Sequence, residues 1–87
     1  MKTAEEYRKE LLSVIENKYR DEFNRMEEDL MTAIHIRHES FIYFEVDLET
    51  KDIELFKEII KKYGYLVSKE VKSATNDFSK ILYKIYF

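Results

Sequence analysis

Apolar and polar residues alternate along this chain with two different periods, and the changes of period mark out its elements. From Ala4 the apolar positions recur at Tyr7, Leu11, Ile15, Tyr19, Phe23, Met26, Leu30 and Ile34, spaced by three or four. That spacing predicts an amphipathic helix, because residues three and four apart share one helical face. Thr3 followed by Glu6 supplies its start signal, a capping box in which each side chain satisfies the other's free backbone N–H. Running from about residue 4 to 38, the helix would be about 50 Å long. The alternative is a break within "NKYRD" (17–21), with Asn17 or Asp21 as a second cap. Residues 1–39 are therefore either one long helix or a helical hairpin.

The period then drops to two. "SFIYFEVDL" (40–48) alternates and is rich in aromatic and β-branched residues, which predicts a strand. "TKDIELFKEIIKKYG" returns to helical spacing through Ile53, Phe56, Ile60 and Tyr63. Thr50 is its expected N-cap, lysines fill its last turn, and Gly64 stands where a helix C-cap favours positive φ. "YLVSKEV" (65–71) and "FSKILYKIYF" (78–87) read as two further strands joined by the polar turn "KSATND" (72–77).

The fold class that follows is α+β: a long N-terminal helix, then β-α-β-β, in one domain spanning 1–87 with the β-α-β-β unit over 40–87. The helical crossover makes the first two strands parallel in direction, and the third runs against both. As the most apolar strand, the third belongs in the middle, giving a three-stranded antiparallel sheet of order 1-3-2 with the helices on one face. Alternation places Ile42, Phe44, Val46, Val67, Val71, Ile81, Tyr83 and Ile85 toward the helices. It places Phe41, Tyr43, Glu45, Leu66, Glu70, Lys80, Leu82, Lys84 and Tyr86 on the other face. A solvated sheet face is ordinarily polar. This one carries five large apolar or aromatic residues, which points either to ordinary surface aromatics or to a partner face.

Composition narrows the chemistry. The chain has 87 residues, 45% hydrophobic and 15% aromatic, enough for one core despite 38% charged residues. It lacks cysteine, so disulfides and thiolate metal sites are excluded, in keeping with a reducing cytoplasm. "MKTAEEYRKE" is too charged for a signal peptide, and no apolar run approaches the roughly 20 residues a membrane span needs. We expect a cytoplasmic protein without membrane contact. The net charge is −3; residues 1–40 hold seven Lys/Arg against ten Asp/Glu, and residues 41–87 hold eight of each. A broad basic footprint for duplex nucleic acid is missing.

Few residues suggest chemistry. His35 and His38, in "HIRHES", lie about one helical turn apart, but H-x-x-H followed by Glu39 matches neither of the ordered zinc signatures. Histidines at a helix C-terminus also gain from the macrodipole. We expect no metal and no cofactor. No serine sits in a Gly-flanked nucleophile elbow, and one glycine cannot build a phosphate loop, so no enzyme is expected. Lys80 and Lys84 share a face with Tyr43 and Tyr86, and Arg37 lies just upstream of the first strand. Cations beside rings suit an anionic, nucleotide-like ligand or single-stranded nucleic acid, with Lys69 as a further contact. His35, Arg37, His38, Tyr43, Lys80, Lys84 and Tyr86 are thus the candidate ligand- or partner-binding residues.

The opening "MKTAEEYRKEL", the long charged helix leading through "AIHIRHESF", the junction "IIKKYGYLV" and the aromatic finish "LYKIYF" together resemble a loose group of small accessory proteins encoded by phages of Gram-positive bacteria. That group carries an extra glycine before the first strand, where this chain has "RHES". The resemblance implies an anti-defence protein that blocks a host protein or sequesters a small anionic signal, and it assigns no residue a role. A nucleic-acid-associated regulator is the alternative.

A length mismatch adds one expectation. A helix of about 50 Å outruns strands of about 20 Å. The overhang would leave Tyr7, Leu11, Leu12, Val14, Ile15 and Tyr19 without partners in their own chain, so two copies should pair there as a homodimer.

Overall fold

In the computed structural model, which describes all 87 residues, the capping box forms as its sequence predicts. The Glu6 amide donates to Thr3 Oγ1 at 3.2 Å, and the Thr3 amide donates to the Glu6 carboxylate at 3.4 Å. Helix α1 (Ala4–Lys18) follows and ends at Tyr19, whose ψ of 30° departs from helical geometry. Helix α2 (Arg20–Thr32) starts at once. The bend is a kink and not a break: the Tyr19 amide still donates to the Ile15 carbonyl at 3.1 Å, and the Phe23 amide to the Tyr19 carbonyl at 3.0 Å. The N-terminal region is therefore neither one straight helix nor a hairpin. A π-helical turn (Ala33–Arg37) closes it, and His38 adopts the left-handed conformation at φ 55°. Glycine takes that conformation without strain, and an L side chain pays for it.

Strand β1 (Phe41–Glu49) leads through a 3-10 turn (Thr50–Asp52) into α3 (Ile53–Lys62). Thr50 does not cap α3. Its hydroxyl donates to the Thr75 carbonyl at 2.9 Å and pairs with Ser79 Oγ at 2.8 Å, tying the crossover to the β2–β3 turn. Gly64 takes the positive φ anticipated for it, 92°, and the chain turns into β2 (Leu66–Ala74), then β3 (Phe78–Tyr86).

The sheet is antiparallel with order β1-β3-β2. Its helix-facing side is the core. Ile42, Phe44, Val46 and Leu48 from β1 and Ile81, Tyr83 and Ile85 from β3 pack with Ile53, Phe56, Ile59 and Ile60 of α3 and with Ile15, Tyr19, Met26, Leu30 and Ala33. Phe56 is the hub. Its ring stacks on Phe23 at 4.5 Å and Tyr83 at 5.3 Å and meets the edge of Tyr19 at 5.8 Å. The Tyr83 hydroxyl donates to the Ile53 carbonyl at 3.0 Å, so the deepest ring carries no unpaired polar atom.

Two expectations are corrected. Val71 shares the inner side with Ile81, yet it is 50% exposed, because β2 runs past the helices and bulges between Val71 and Ser73. The helical overhang also disappears. After the kink at Tyr19, α1 lies across α3, held by ion pairs from Arg8 to Glu58 and from Lys62 to Glu16. Ile15 and Tyr19 are buried in their own chain's core and Leu12 packs against it, which removes these three from any interface between copies. Only Tyr7, Leu11 and Val14 of the predicted set remain exposed. No helix is long and apolar enough to cross a membrane.

Candidate functional site

The outer side of the sheet is a grid whose rows are set by strand register. Across β1, β3 and β2 the rows read Phe41–Tyr86–Leu66, Tyr43–Lys84–Ser68, Glu45–Leu82–Glu70 and Asp47–Lys80–Ser73. The first row is wholly apolar or aromatic, and the second places a lysine among its rings. Lys84 Nζ lies 5.2 Å from the Phe41 ring centre, 5.6 Å from that of Tyr86 and 5.8 Å from that of Tyr43. Phe41 and Tyr43 also meet edge to face at 5.8 Å. Three rings within reach of one ammonium hold it by cation–π attraction, and no carboxylate is paired with it. Tyr43 and Leu66 are about 60% exposed (60% and 59%), so large apolar area stands in water beside that charge.

The predicted site residues separate into three groups. Tyr43, Lys84 and Tyr86 come together in the cage. Lys80 lies four residues from Lys84 along β3, opposite Asp47. His35, Arg37 and His38 form an exposed polar stretch at the end of the π turn, where Arg37 pairs with Glu39 at 3.3 Å. No group of three potential metal-ligating His, Asp or Glu side chains occurs anywhere in the chain. Lys69 does not join the basic face. Its parity in β2 matches Tyr83 on the inner side, and its ammonium is bound to Glu54 of α3. Lys80 and Lys84 are the cations of the outer face without ionic partners, whereas Lys72, at the β2 bulge, pairs with Glu70 at 3.5 Å. They stand among Glu45, Asp47 and Glu70. Beside the cage is a shallow hollow of about 140 Å³ with Tyr43, Ser68, Glu70 and Lys84 among its walls.

Two polar features elsewhere escaped the sequence. Asp52, 2% exposed, accepts hydrogen bonds from Lys18 Nζ and the Tyr19 hydroxyl, each at 2.7 Å. Tyr19 in turn accepts from the Glu49 amide at 3.1 Å. Burial works to raise the Asp52 carboxyl, but the bonds from Lys18 and Tyr19 outweigh it and hold the group below the usual range. Burial, reinforced by the Asp52 carboxylate, pushes Tyr19 up to about 12. Every buried polar atom of the cluster is satisfied, so it is a strut pinning the helical kink to the crossover.

The second feature is a groove of about 320 Å³ where α2 leaves the α3–β2 junction, lined by Glu16, Arg20, Phe23, Asn24, Glu27, Tyr63 and Tyr65. The signal that would have found it is "YGY" (63–65), two aromatics around the sole glycine, facing the polar side of the kinked helix.

Comparison with known protein families, with curated proteins and with solved structures finds no match for this chain.

Proposed function

We propose that this chain is a non-enzymatic binding protein that engages another protein through the outer side of its sheet. The observation that carries this reading is the row Phe41–Tyr86–Leu66 beside caged Lys84: exposed apolar area around a cation that has no ionic partner of its own. An interface with aromatic anchors and one desolvated charge pair has this chemistry, the matching group being a carboxylate on the partner. The face is too flat for the other occupants. A hollow of about 140 Å³ falls short of the roughly 300 Å³ at which small-ligand sites begin. Two lysines among three carboxylates, with Lys69 turned away, make a poor track for a nucleic-acid backbone.

The resemblance to small phage accessory proteins supports a host protein as the partner, with binding in the host cytoplasm as an anti-defence act. Association of two copies through α1 rests on Tyr7, Leu11 and Val14 alone. Three side chains on two helical turns make a weak, concentration-dependent contact, far below the area of a stable interface.

The test compares proteins retained from host extract by the unaltered chain, by Tyr43→Ala/Lys84→Glu and by the control Glu28→Lys on α2. The reading expects a discrete partner lost with the first variant and kept with the second. Retention equal across all three contradicts it. Binding of single-stranded oligonucleotides that falls steeply with salt and is lost with Lys84→Glu would favour the nucleic-acid alternative.

A further inference from the structure

The groove at the α3–β2 junction is built with more order than its surface position requires. Each of its three aromatic rings is fixed by a further contact. Phe23 stacks on Phe56 at 4.5 Å, Tyr65 meets the ring of Phe87 at 6.0 Å, and the Tyr63 hydroxyl donates to Glu16 at 2.6 Å. Lys62 also donates to Glu16, at 2.8 Å. These bonds occupy the Glu16 carboxylate and hold it below its usual range against the opposing effect of burial. Its charge is therefore spent within the wall. Two charged groups remain uncommitted: Arg20 and Glu27, neither of which has an ionic partner.

Their spacing defines a ligand. Seven residues apart on α2, they lie two turns from each other on one side of the helix, about 10 Å along its axis. A guanidinium takes an anionic oxygen group bidentately, and a carboxylate, which only accepts, takes a pair of neighbouring N–H donors. Between them stand Phe23, Asn24 and the Tyr63 and Tyr65 rings, which suit a flat heteroaromatic ring. A group with an anion at one end, a planar ring in the middle and two adjacent N–H donors at the far edge is a guanine mononucleotide. The volume, about 320 Å³, falls within the range of small-ligand sites. An adjoining hollow shares Glu16, Arg20 and Tyr63 with the groove and leaves room for further phosphate at the Arg20 end.

We propose that this groove binds a guanine nucleotide, with Arg20 on the phosphate, Glu27 on the base edge and Phe23, Tyr63 and Tyr65 around the ring. The site lies on the helix side of the molecule and does not depend on the sheet-face reading.

Titration of the isotope-labelled full chain with GMP, followed by amide NMR, tests it. Saturable shifts are expected at Arg20, Asn24, Gly64 and Tyr65, below about 1 mM ligand, with Tyr43 and Lys84 unmoved. Guanosine, which lacks the phosphate, and Arg20→Ala with GMP should each bind at least about tenfold more weakly. AMP should bind more weakly than GMP, and Glu27→Gln should erase that preference. Arg20 and Glu27 are exposed, so the unliganded spectra of the variants check that the fold is kept. Absence of saturable shifts, shifts outside the groove, or equal affinity for GMP, guanosine and AMP would overturn the proposal.

Discussion

Strand β3 shows two environments on one backbone. Ile81, Tyr83 and Ile85 point inward and are wholly buried, whereas Lys80, Leu82, Lys84 and Tyr86 alternate with them on the outside. On the inner side each side chain is accounted for by the fold: rings stack on Phe56, and the Tyr83 hydroxyl reaches the Ile53 carbonyl. On the outer side the accounting does not close. Phe41, Tyr43 and Tyr86 hold Lys84, but the assembly remains open to water and supports nothing beneath it. Stability explains the first set; recognition is the physical reason we offer for the second. The two sides should therefore respond differently to substitution.

The largest effect is expected at the hub. Phe56→Ala should cost about 3–5 kcal/mol and lower the melting temperature sharply, since it removes the ring on which Phe23, Tyr19 and Tyr83 converge. Tyr43→Ala, on the outer side, should stay within about 0.5 kcal/mol of the unaltered protein by denaturant titration. Similar losses from the two changes would erase the distinction between the faces.

Next comes the buried strut. Asp52→Ala leaves the Tyr19 hydroxyl without its acceptor and Lys18 with Glu49 alone, and should cost about 1.5–3 kcal/mol. The strut also gives the protein an acid and an alkaline limit. Asp52 titrates lower when folded than when unfolded, so the unfolded chain binds more protons in that window and stability rises with pH there. Its share is complete at neutral pH, declines below the ordinary value of 3.8 and is gone beneath the folded value. Glu16 and Glu54, also lowered, add to the same acid limb. Tyr19 has the opposite sign: its share holds below its ordinary 10.0 and is lost as pH rises toward about 12. Chemical denaturation across pH should show both limbs, and Asp52→Asn should flatten the acid one.

These effects also mark how far the sequence could be read. The capping box, the alternation of β3, its central place and the turn at Gly64 follow from local rules, and each is present. The kink at Tyr19 falls within the 17–21 segment offered as a possible break, but neither Asn17 nor Asp21 caps the second helix, and the hydrogen bonds and apolar spacing continue through 15, 19 and 23. Asp52 looks like any first-turn acid; only the crossing of α1 over the 3-10 turn buries it against Lys18. Lys69 seemed to belong with Lys80 and Lys84 by charge, although its parity with Val67 and Val71 already placed it on the inner side. Of the candidate site, the sheet-face cluster of Tyr43, Lys84 and Tyr86 was legible from alternation. The groove was not, because its walls come from the kink and from a junction more than forty residues away along the chain.

Smaller effects sharpen the picture at the ends of the helical pair. His38→Gly relieves a left-handed L residue and should raise stability by up to about 1 kcal/mol, measured as a shifted denaturation midpoint. Leu11→Glu with Val14→Glu should leave the melting temperature nearly unchanged and remove any concentration dependence of the mass seen by light scattering. A large loss of stability would show instead that α1 needs those side chains within its own chain.

Photo-crosslinking from the outer face tests the central claim most directly. With photoreactive benzoylphenylalanine in place of Tyr43, illumination in the cell that makes the protein should give a discrete covalent adduct to one other protein. The same probe in place of Glu28 on α2 should give none. No adduct from position 43, or the same adducts from both positions, would contradict the assignment of the outer sheet face to recognition.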